Sequence, residues 1–411
     1  MTAALDLAFP SRYFVRFPTT SVWQFLPTFF WETDILPLLL NSVDFKAFRS
    51  VCRKFYLHSL CFTLDLLHPL LLFWDAAIFV GSWNARSMYT VNALCPLFLS
   101  SSSLFVASNG DVGDGKIWSV DVSPSLNSTL VQTLKGHTNT INCICALPGQ
   151  PTTQVITACS GKTLKIWNVS DGSCVRTLEG HIDYVEWVCV VPALRGDASD
   201  DLVASGSCDN TVKVWNWKEG KCIATLLGHT DWVRCVIPFD SQRILSGSHD
   251  QTIKLWDLNQ ISSSSSNEND SCIQTYLDHT SRVLCLCLFD QQHFVSGSSD
   301  KTVKLWHIDQ PNKPVCTLKG HESAVRCVQV LEDYHHDHRK LILSGSLDET
   351  IRVWLMKNCD DLSVGGECVK VLHVGARVYS LVVLENRFIV CGDQTGKISM
   401  WDVGFPARKK S

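Results

Sequence analysis

From about residue 76 onward the chain alternates short apolar runs with small polar clusters. Residues 203–205, 211–215 and 222–225 are three such runs, each bounded by Gly, Asp or Asn. Runs this short, rich in Val, Thr and Trp, predict strands, because an amphipathic helix needs a longer stripe at 3.6-residue spacing. The first 75 residues have a different texture. There Asp44 is placed to cap a helix whose apolar residues Phe45, Phe48, Val51, Cys52, Phe55 and Tyr56 fall on one 3.6-residue stripe. Leu26-Pro27 opens a short element upstream, and Ile35-Leu36 with residues 38–40 forms a further apolar cluster.

The strand-like part is periodic. Tryptophans recur in similar frames at Trp118, Trp167, Trp215, Trp256, Trp306, Trp354 and Trp401, separated by 49, 48, 41, 50, 48 and 47 residues. A Gly-His or similar pair precedes five of them, at His137, His181, His229, His279 and His321. Asp209, Asp250, Asp300 and Asp348 each stand six residues before their tryptophan, whereas Val112, Gly161 and Thr395 hold that position in the other repeats. Units of about 40–50 residues with several strands and this GH…W signature resemble the WD-repeat β-propeller. The resemblance spans residues 76–403 and implies seven blades.

Ring closure supports that count. Only ten residues follow Trp401, too few and too polar for the outer strand that follows the other tryptophans. Residues 76–80, followed by Gly81-Ser82, are expected to supply it from the N-terminal side, which removes an open sheet edge.

Histidine, serine, aspartate and tryptophan invite a catalytic reading, but catalysis needs one constellation, and this one repeats. The resemblance implies that it is scaffolding: buried hydrogen-bonded chains through His181, Asp209 and Trp215; His229, Asp250 and Trp256; His279, Asp300 and Trp306; and His321, Asp348 and Trp354. The three repeats lacking the aspartate are then the less rigid part of the ring. No enzyme is expected.

The N-terminal texture, LP, then IL, then D-F…F..VCRKFY, resembles the F-box, a small helical motif. The matching adaptor-binding positions are Leu26, Pro27, Ile35, Leu36, Val51, Cys52 and Phe55, with Leu40 and Phe48 also in frame. The expected architecture is mainly all-β: a seven-bladed WD-repeat β-propeller preceded by a small α-helical F-box-like module. Its divisions are an extension 1–20, the module 21–62, a linker 63–75, the propeller 76–403 and a tail 404–411. F-box/WD-repeat proteins are substrate receptors of SCF-type cullin–RING ubiquitin ligases, so the resemblance implies a Skp-type adaptor and cullin as partners. The alternative is a WD-repeat interaction scaffold unrelated to ubiquitin, its N-terminal helices serving as a cap or another docking site.

Charge narrows the ligand. Among 411 residues, 36 Lys+Arg against 40 Asp+Glu leave a net charge of −4, which argues against a dedicated nucleic-acid binder. The most apolar stretch, 60–80, carries Asp65, His68, Pro69 and Asp75, so no membrane span is expected. Nineteen cysteines, with no secretory pattern in residues 1–26, predict reduced thiols and a cytoplasmic and/or nuclear protein. Those at Cys143, Cys235, Cys285 and Cys327 fall on inner strands, and Cys174, Cys222, Cys272, Cys316 and Cys368 near the start of outer strands; all read as small buried apolar residues. No zinc spacing or Gly-rich phosphate loop is present, and His335-His336-Asp337-His338 reads as a solvated loop, so neither metal nor cofactor is expected.

The insertions at 192–201, 262–266 and 333–340 fall on the face opposite the Gly-His loops. On the Gly-His face, each inner strand presents two residues: Thr140/Asn142, Tyr184/Glu186, Trp232/Arg234, Arg282/Leu284, Ala324/Arg326 and Arg377/Tyr379. Four successive repeats thus bring Arg234, Arg282, Arg326 and Arg377 to the central mouth, with Tyr184, Trp232, Tyr379 and His249 among them. Guanidinium forks pair with phosphate or carboxylate, and the rings can hold apolar groups. Phosphodegron-reading F-box/WD-repeat proteins use arginines within the V-R-C context of Val233-Arg234-Cys235 and Val325-Arg326-Cys327. The expected ligand is an acidic or phosphorylated protein substrate.

Overall fold

A computed structural model describes residues 7–8, 14–15 and 78–402, apart from 85–89, 98–103, 110–112, 122–126, 150–151, 193–200, 263–270, 334–338 and 357–364. Contacts divide the chain into two units, Met1–His68 and Pro69–Ser411. In the first, strands Leu7–Ala8 and Phe14–Val15 pair antiparallel. The F-box-like positions Leu26, Pro27, Ile35, Leu36, Val51, Cys52 and Phe55 lie outside the described residues, as do 63–75 and 404–411.

The second unit is a ring of seven four-stranded antiparallel sheets. Blades 1 to 7 begin with innermost strands Leu94–Leu97, Ile141–Ala146, Val185–Val191, Val233–Pro238, Val283–Leu288, Val325–Asp333 and Val378–Leu384. Each innermost strand contacts its neighbours on both sides, and blade 7 contacts blade 1. The helical element among the described residues is a short 3-10 turn, Leu258–Ser262.

A single sheet of this kind buries neither face; the neighbouring blade must cover it. The core is accordingly seven clusters, one per seam. Trp306 of blade 5 packs on Leu245, Leu255 and Tyr276 of blade 4. Trp256, Trp215, Trp167, Trp354 and Trp401 lie in the same way against the preceding blades, and Trp118 of blade 1 closes the ring against Val390, Ile398 and Met400 of blade 7. Burying an indole of about 200 Å² stabilises by on the order of 5 kcal/mol. That makes the tryptophan period the main energetic unit of the fold.

The closing strand comes from the N-terminal side, with a shifted register. Ile78–Asn84 pairs with Lys397–Asp402, Phe79 opposite Trp401 and Trp83 opposite Ile398. In blade 2 Cys174 stands opposite Trp167 and Leu178 opposite Leu164. Phe79 therefore takes the place of Cys174. Gly81-Ser82 lies inside the strand, not after it as the Gly-His analogy suggested. The analogy failed because Gly81 and the bulge beside it look like a turn in sequence. Elsewhere in blade 3, Leu202–Ser207 and Lys221–Leu226 extend the expected segments at both ends, and Val212–Asn216 lies one residue further along than expected. Asp333 and Lys340, expected in a loop, are strand residues paired with Arg339 and Glu332.

The seams also explain the Ser-Gly-Ser triplets at the ends of the second strands. A Cβ built on Gly247 would stand 2.7 Å from Val283 Cγ1 of the next blade and 2.7 Å from Cys235 Sγ. Gly297 faces Val325 and Gly345 faces Val378 in the same way, and at the closing seam Gly392 meets Val91. Gly247→Ala is expected to destabilise by about 1–3 kcal/mol through overpacking. Val283→Ala in the same chain should recover part of that loss in urea unfolding; strictly additive losses would contradict the contact.

Candidate functional site

In four blades a buried hydrogen-bond chain runs from the seam to the Gly-His face. His229 Nδ1 lies 2.7 Å from Asp250 Oδ2 and its Nε2 2.8 Å from Ser246 Oγ, while Trp256 Nε1 donates to Ser246 Oγ at 2.8 Å. The same chain joins His181, Asp209, Ser205 and Trp215; His279, Asp300, Ser296 and Trp306; and His321, Asp348, Ser344 and Trp354. The second oxygen of each aspartate spans a turn: Asp250 Oδ1 accepts from Thr252 N and Oγ1. Burial disfavours ionising Asp209, Asp250 and Asp300, but hydrogen bonds from histidine and threonine outweigh it and hold them below the usual carboxylate range.

The turn needs that clamp. Five residues before every tryptophan the backbone is left-handed, at Gly113, Lys162, Asn210, Gln251, Lys301, Glu349 and Gly396, with φ from 67° to 81°. Non-glycine residues pay about 1 kcal/mol there. The repeats without the six-before aspartate solve this differently. In blades 1 and 7 glycine takes the left-handed position. Asp393, two residues before Thr395, accepts from Thr395 N and Oγ1 and from Lys397 N. In blade 1 buried Asn109 ties the turn to Thr90 O and Ala93 N. These two blades are thus braced by substitutes; the D-x-T spacing of Asp393 repeats that of Asp250 and was the signal for it. Blade 2 has neither device. His137 Nε2 reaches Thr157 Oγ1 at 2.6 Å, but its buried Nδ1 has no partner.

These braces fix where each innermost strand begins. The carbonyls of Thr140, Tyr184, Trp232, Arg282, Ala324 and Arg377 each accept a backbone N–H from the turn of their own blade, at 2.8–3.0 Å. Two residues later, in blades 2 to 7, the innermost strand bulges: the ladder skips Asn142, Glu186, Arg234, Leu284, Arg326 and Tyr379. A bulged residue has no cross-strand partner, and its side chain is re-aimed. The bulges therefore set a ring of side chains at the central mouth.

At that mouth the expected residues separate into two groups. Arg234 is held by Glu186 of blade 3, with side chains only 15% and 12% exposed. That is a correction to reading Arg234 as an open ligand contact; Glu186 is its neighbour around the ring, a relation invisible along the chain. Burial and then Arg326 push Arg234 down to about 9, still charged at neutral pH. Arg326 lies over the Tyr379 ring at 5.0 Å, and its buried Nε has no hydrogen-bond partner. Arg282 and Arg377 are exposed on the rim, as is Tyr184. Trp232, 44% exposed, stacks on His249 at 5.2 Å. Burial first, then Arg282, Arg234 and Arg326, push His249 down to about 4, with Asp231 opposing. His249 is therefore neutral at pH 7.

The inner-strand thiols lie beneath this ring. Burial pushes Cys143, Cys235 and Cys327 up to about 12, so they are inert apolar residues. Cys174 and Cys222, expected buried, are exposed on outer strands. Among the described residues no group of three His, Cys, Asp or Glu is placed to hold a metal ion. His335, His336, Asp337 and His338 lie outside them. No helix among the described residues is long and apolar enough to cross a membrane.

The family description "WD domain, G-beta repeat" matches residues 128–168, 172–216, 220–257, 270–307 and 312–354. The ring is a WD40 propeller. The crystal structure of the WD40 beta propeller domain of Doa1 superposes with a TM-score of 0.63, covering 82% of this chain and 99% of that one at 23% identity. At that identity the likeness is one of fold. A 60-residue stretch is 38% identical to the nuclear distribution protein PAC1 of Komagataella phaffii strain GS115, spanning 15% of this chain and 11% of that relative. WD40 propellers are protein-interaction domains, and the matches indicate no catalytic family.

The orphaned His137 generates a test. Burial, then Lys165, hold its folded value at about 3 against 6.5 unfolded. Its contribution is fully present above pH 6.5 and is lost as pH falls, by about 1.4 kcal/mol per unit down to the folded value. Gly161→Asp places a carboxylate beside His137 once exposed Thr138 rotates away from the new Cβ. Stability at pH 7 should rise by about 1 kcal/mol, and the drop between pH 7 and 5 should shrink. Asp250→Ala should cost about 2–4 kcal/mol by stranding His229 and releasing the turn. Chemical unfolding at the two pH values checks all three; an unchanged acid slope in Gly161→Asp would contradict the role of His137.

Proposed function

We propose that the propeller is the substrate-reading domain of a ubiquitin-ligase receptor, and that its central mouth binds an acidic or phosphorylated peptide. The observation that carries the ligand half is Arg326: a half-buried side chain at the mouth whose buried Nε has no hydrogen-bond partner. Burial lowers its proton affinity, which marks it as a cation with little solvent compensation. A phosphate or carboxylate oxygen can pair with the half-exposed guanidinium, and a guanidinium–phosphate bond is among the stronger hydrogen bonds available. Arg282 and Arg377 add long-range attraction, while the exposed Trp232 of the Trp232–His249 stack offers apolar surface to the residues flanking the anion.

The ligase half rests on sequence resemblance. Leu26, Pro27, Ile35, Leu36, Val51, Cys52 and Phe55 match the F-box pattern that docks on a Skp-type adaptor and thereby on a cullin. In that arrangement the chain does no covalent chemistry. It raises the effective concentration of substrate lysines near the charged ubiquitin carrier. The second reading, a WD40 scaffold outside the ubiquitin system, keeps the mouth and drops the adaptor.

Two measurements separate these readings. Leu26→Ala with Pro27→Ala should abolish copurification of a Skp-type adaptor and cullin with the full chain. Wild type that brings down neither adaptor nor cullin leaves the scaffold reading. At the mouth, Arg326→Ala should weaken binding to phosphothreonine peptide pools by about 1.5–3 kcal/mol, and Arg326→Lys should recover only part of it. Arg234→Ala is a less direct probe because it strands Glu186. Equal binding of phosphorylated and unphosphorylated pools, in wild type and Arg326→Ala alike, would sink the anionic-peptide reading.

A further inference from the structure

The mouth is not evenly cationic, and the asymmetry bears on how many anionic groups it takes. Glu186 and Arg234 sit on the bulges of adjacent blades and form an ion pair from which water is largely excluded. Opening such a pair leaves a carboxylate buried without its counter-charge, which is costly. An incoming anion that seeks Arg234 must therefore displace an acceptor already in place and then face its repulsion. Asn142, on the next bulge, donates to Ser160 Oγ and to Val185 O, so it too is engaged. Around the ring the other way lie Leu284, Arg326 over Tyr379, and the exposed Arg377.

Resting on the anion-binding reading above, we propose that Glu186 makes this mouth a reader of a single phosphorylated side chain. Arg326 meets that one phosphate. Glu186 occupies Arg234 and turns away a second phosphate or acidic side chain approaching from blade 3. The ligand class is a peptide with one phosphoserine or phosphothreonine, uncharged where it passes Glu186, and with an apolar residue to cover the exposed Trp232. Charge of the same sign placed opposite a wrong partner is a common route to specificity. Glu186 is thus a specificity-determining residue, not a flaw in a cationic site.

The test titrates the full chain against three synthetic peptide pools with randomised flanks. One pool is unphosphorylated, one carries a central phosphothreonine, and one carries a second phosphothreonine within the next several residues. Wild type should prefer the singly phosphorylated pool over the unphosphorylated one and gain nothing from the second phosphate. Glu186→Gln, which keeps the side-chain shape, should gain about tenfold or more from the second phosphate. Glu186→Asp, which keeps the charge, should discriminate as wild type does, and Arg326→Ala should lose the preference for the first phosphate. Melting temperatures of the variants report any effect on folding separately. If wild type already gains tenfold from the second phosphate, or Glu186→Gln shows the wild-type ratio, Glu186 is not the filter and the anionic mouth stands. An equal gain in the Asp and Gln variants would put packing in place of charge and overturn the proposal. If wild type ignores phosphate in every pool, the anionic mouth itself falls, and this inference with it.

Discussion

Every blade of this ring must bury an indole at a seam, and in most blades the indole N–H must find an acceptor there. Serine or threonine on the neighbouring strand provides it, and that hydroxyl is shared with a histidine from the loop before the blade. Where an aspartate completes the chain, the histidine ties the loop to the next turn. Apolar burial supplies the driving force, and the hydrogen-bond chain converts it into a fixed position for two loops. The left-handed residue in the turn is Asn, Gln, Lys or Glu in the four blades with the aspartate clamp and glycine in blades 1 and 7, while blade 2 carries Lys162 without that clamp.

That bracing is what gives the mouth its precision. The turn's backbone N–H holds the carbonyl just before each innermost strand, so the bulge two residues later falls at a constant place around the ring. The scaffold repeats, but the bulged residues do not: Asn142, Glu186, Arg234, Leu284, Arg326 and Tyr379 differ in charge, size and shape. Structural residues recur with the period, and the candidate ligand-reading residues occupy one variable slot within it. This division of labour suits a domain whose task is recognition.

Much of this was legible in the sequence because tryptophan spacing, Gly-His pairs and six-before aspartates report local geometry that recurs. The count of seven followed from the seven in-phase tryptophans. The register of Ile78–Asn84 did not, since Gly81 beside a bulge looks like a turn when read alone. Asp393 and Asn109 escaped notice because they brace their turns from other offsets. At the mouth, the V-R-C frame singled out Arg234 and Arg326 and gave them equal roles. Their difference comes from Glu186 and Tyr379, neighbours around the ring that are 48 and 53 residues away along the chain. Contacts between blades are set by closure, and no local pattern records them.

The Arg326 side chain is therefore the place to look for ligand. In an isotope-labelled full chain its Nε–Hε signal is identified by its loss in Arg326→Ala, and phenyl phosphate is then added. Engagement of a phosphate oxygen moves that signal downfield in a saturable way, leaves the Arg234 signal nearly unmoved, and is absent with benzyl alcohol. An Arg326 signal that stays put under phosphate, or that moves equally with the uncharged compound, would contradict an anion-reading mouth.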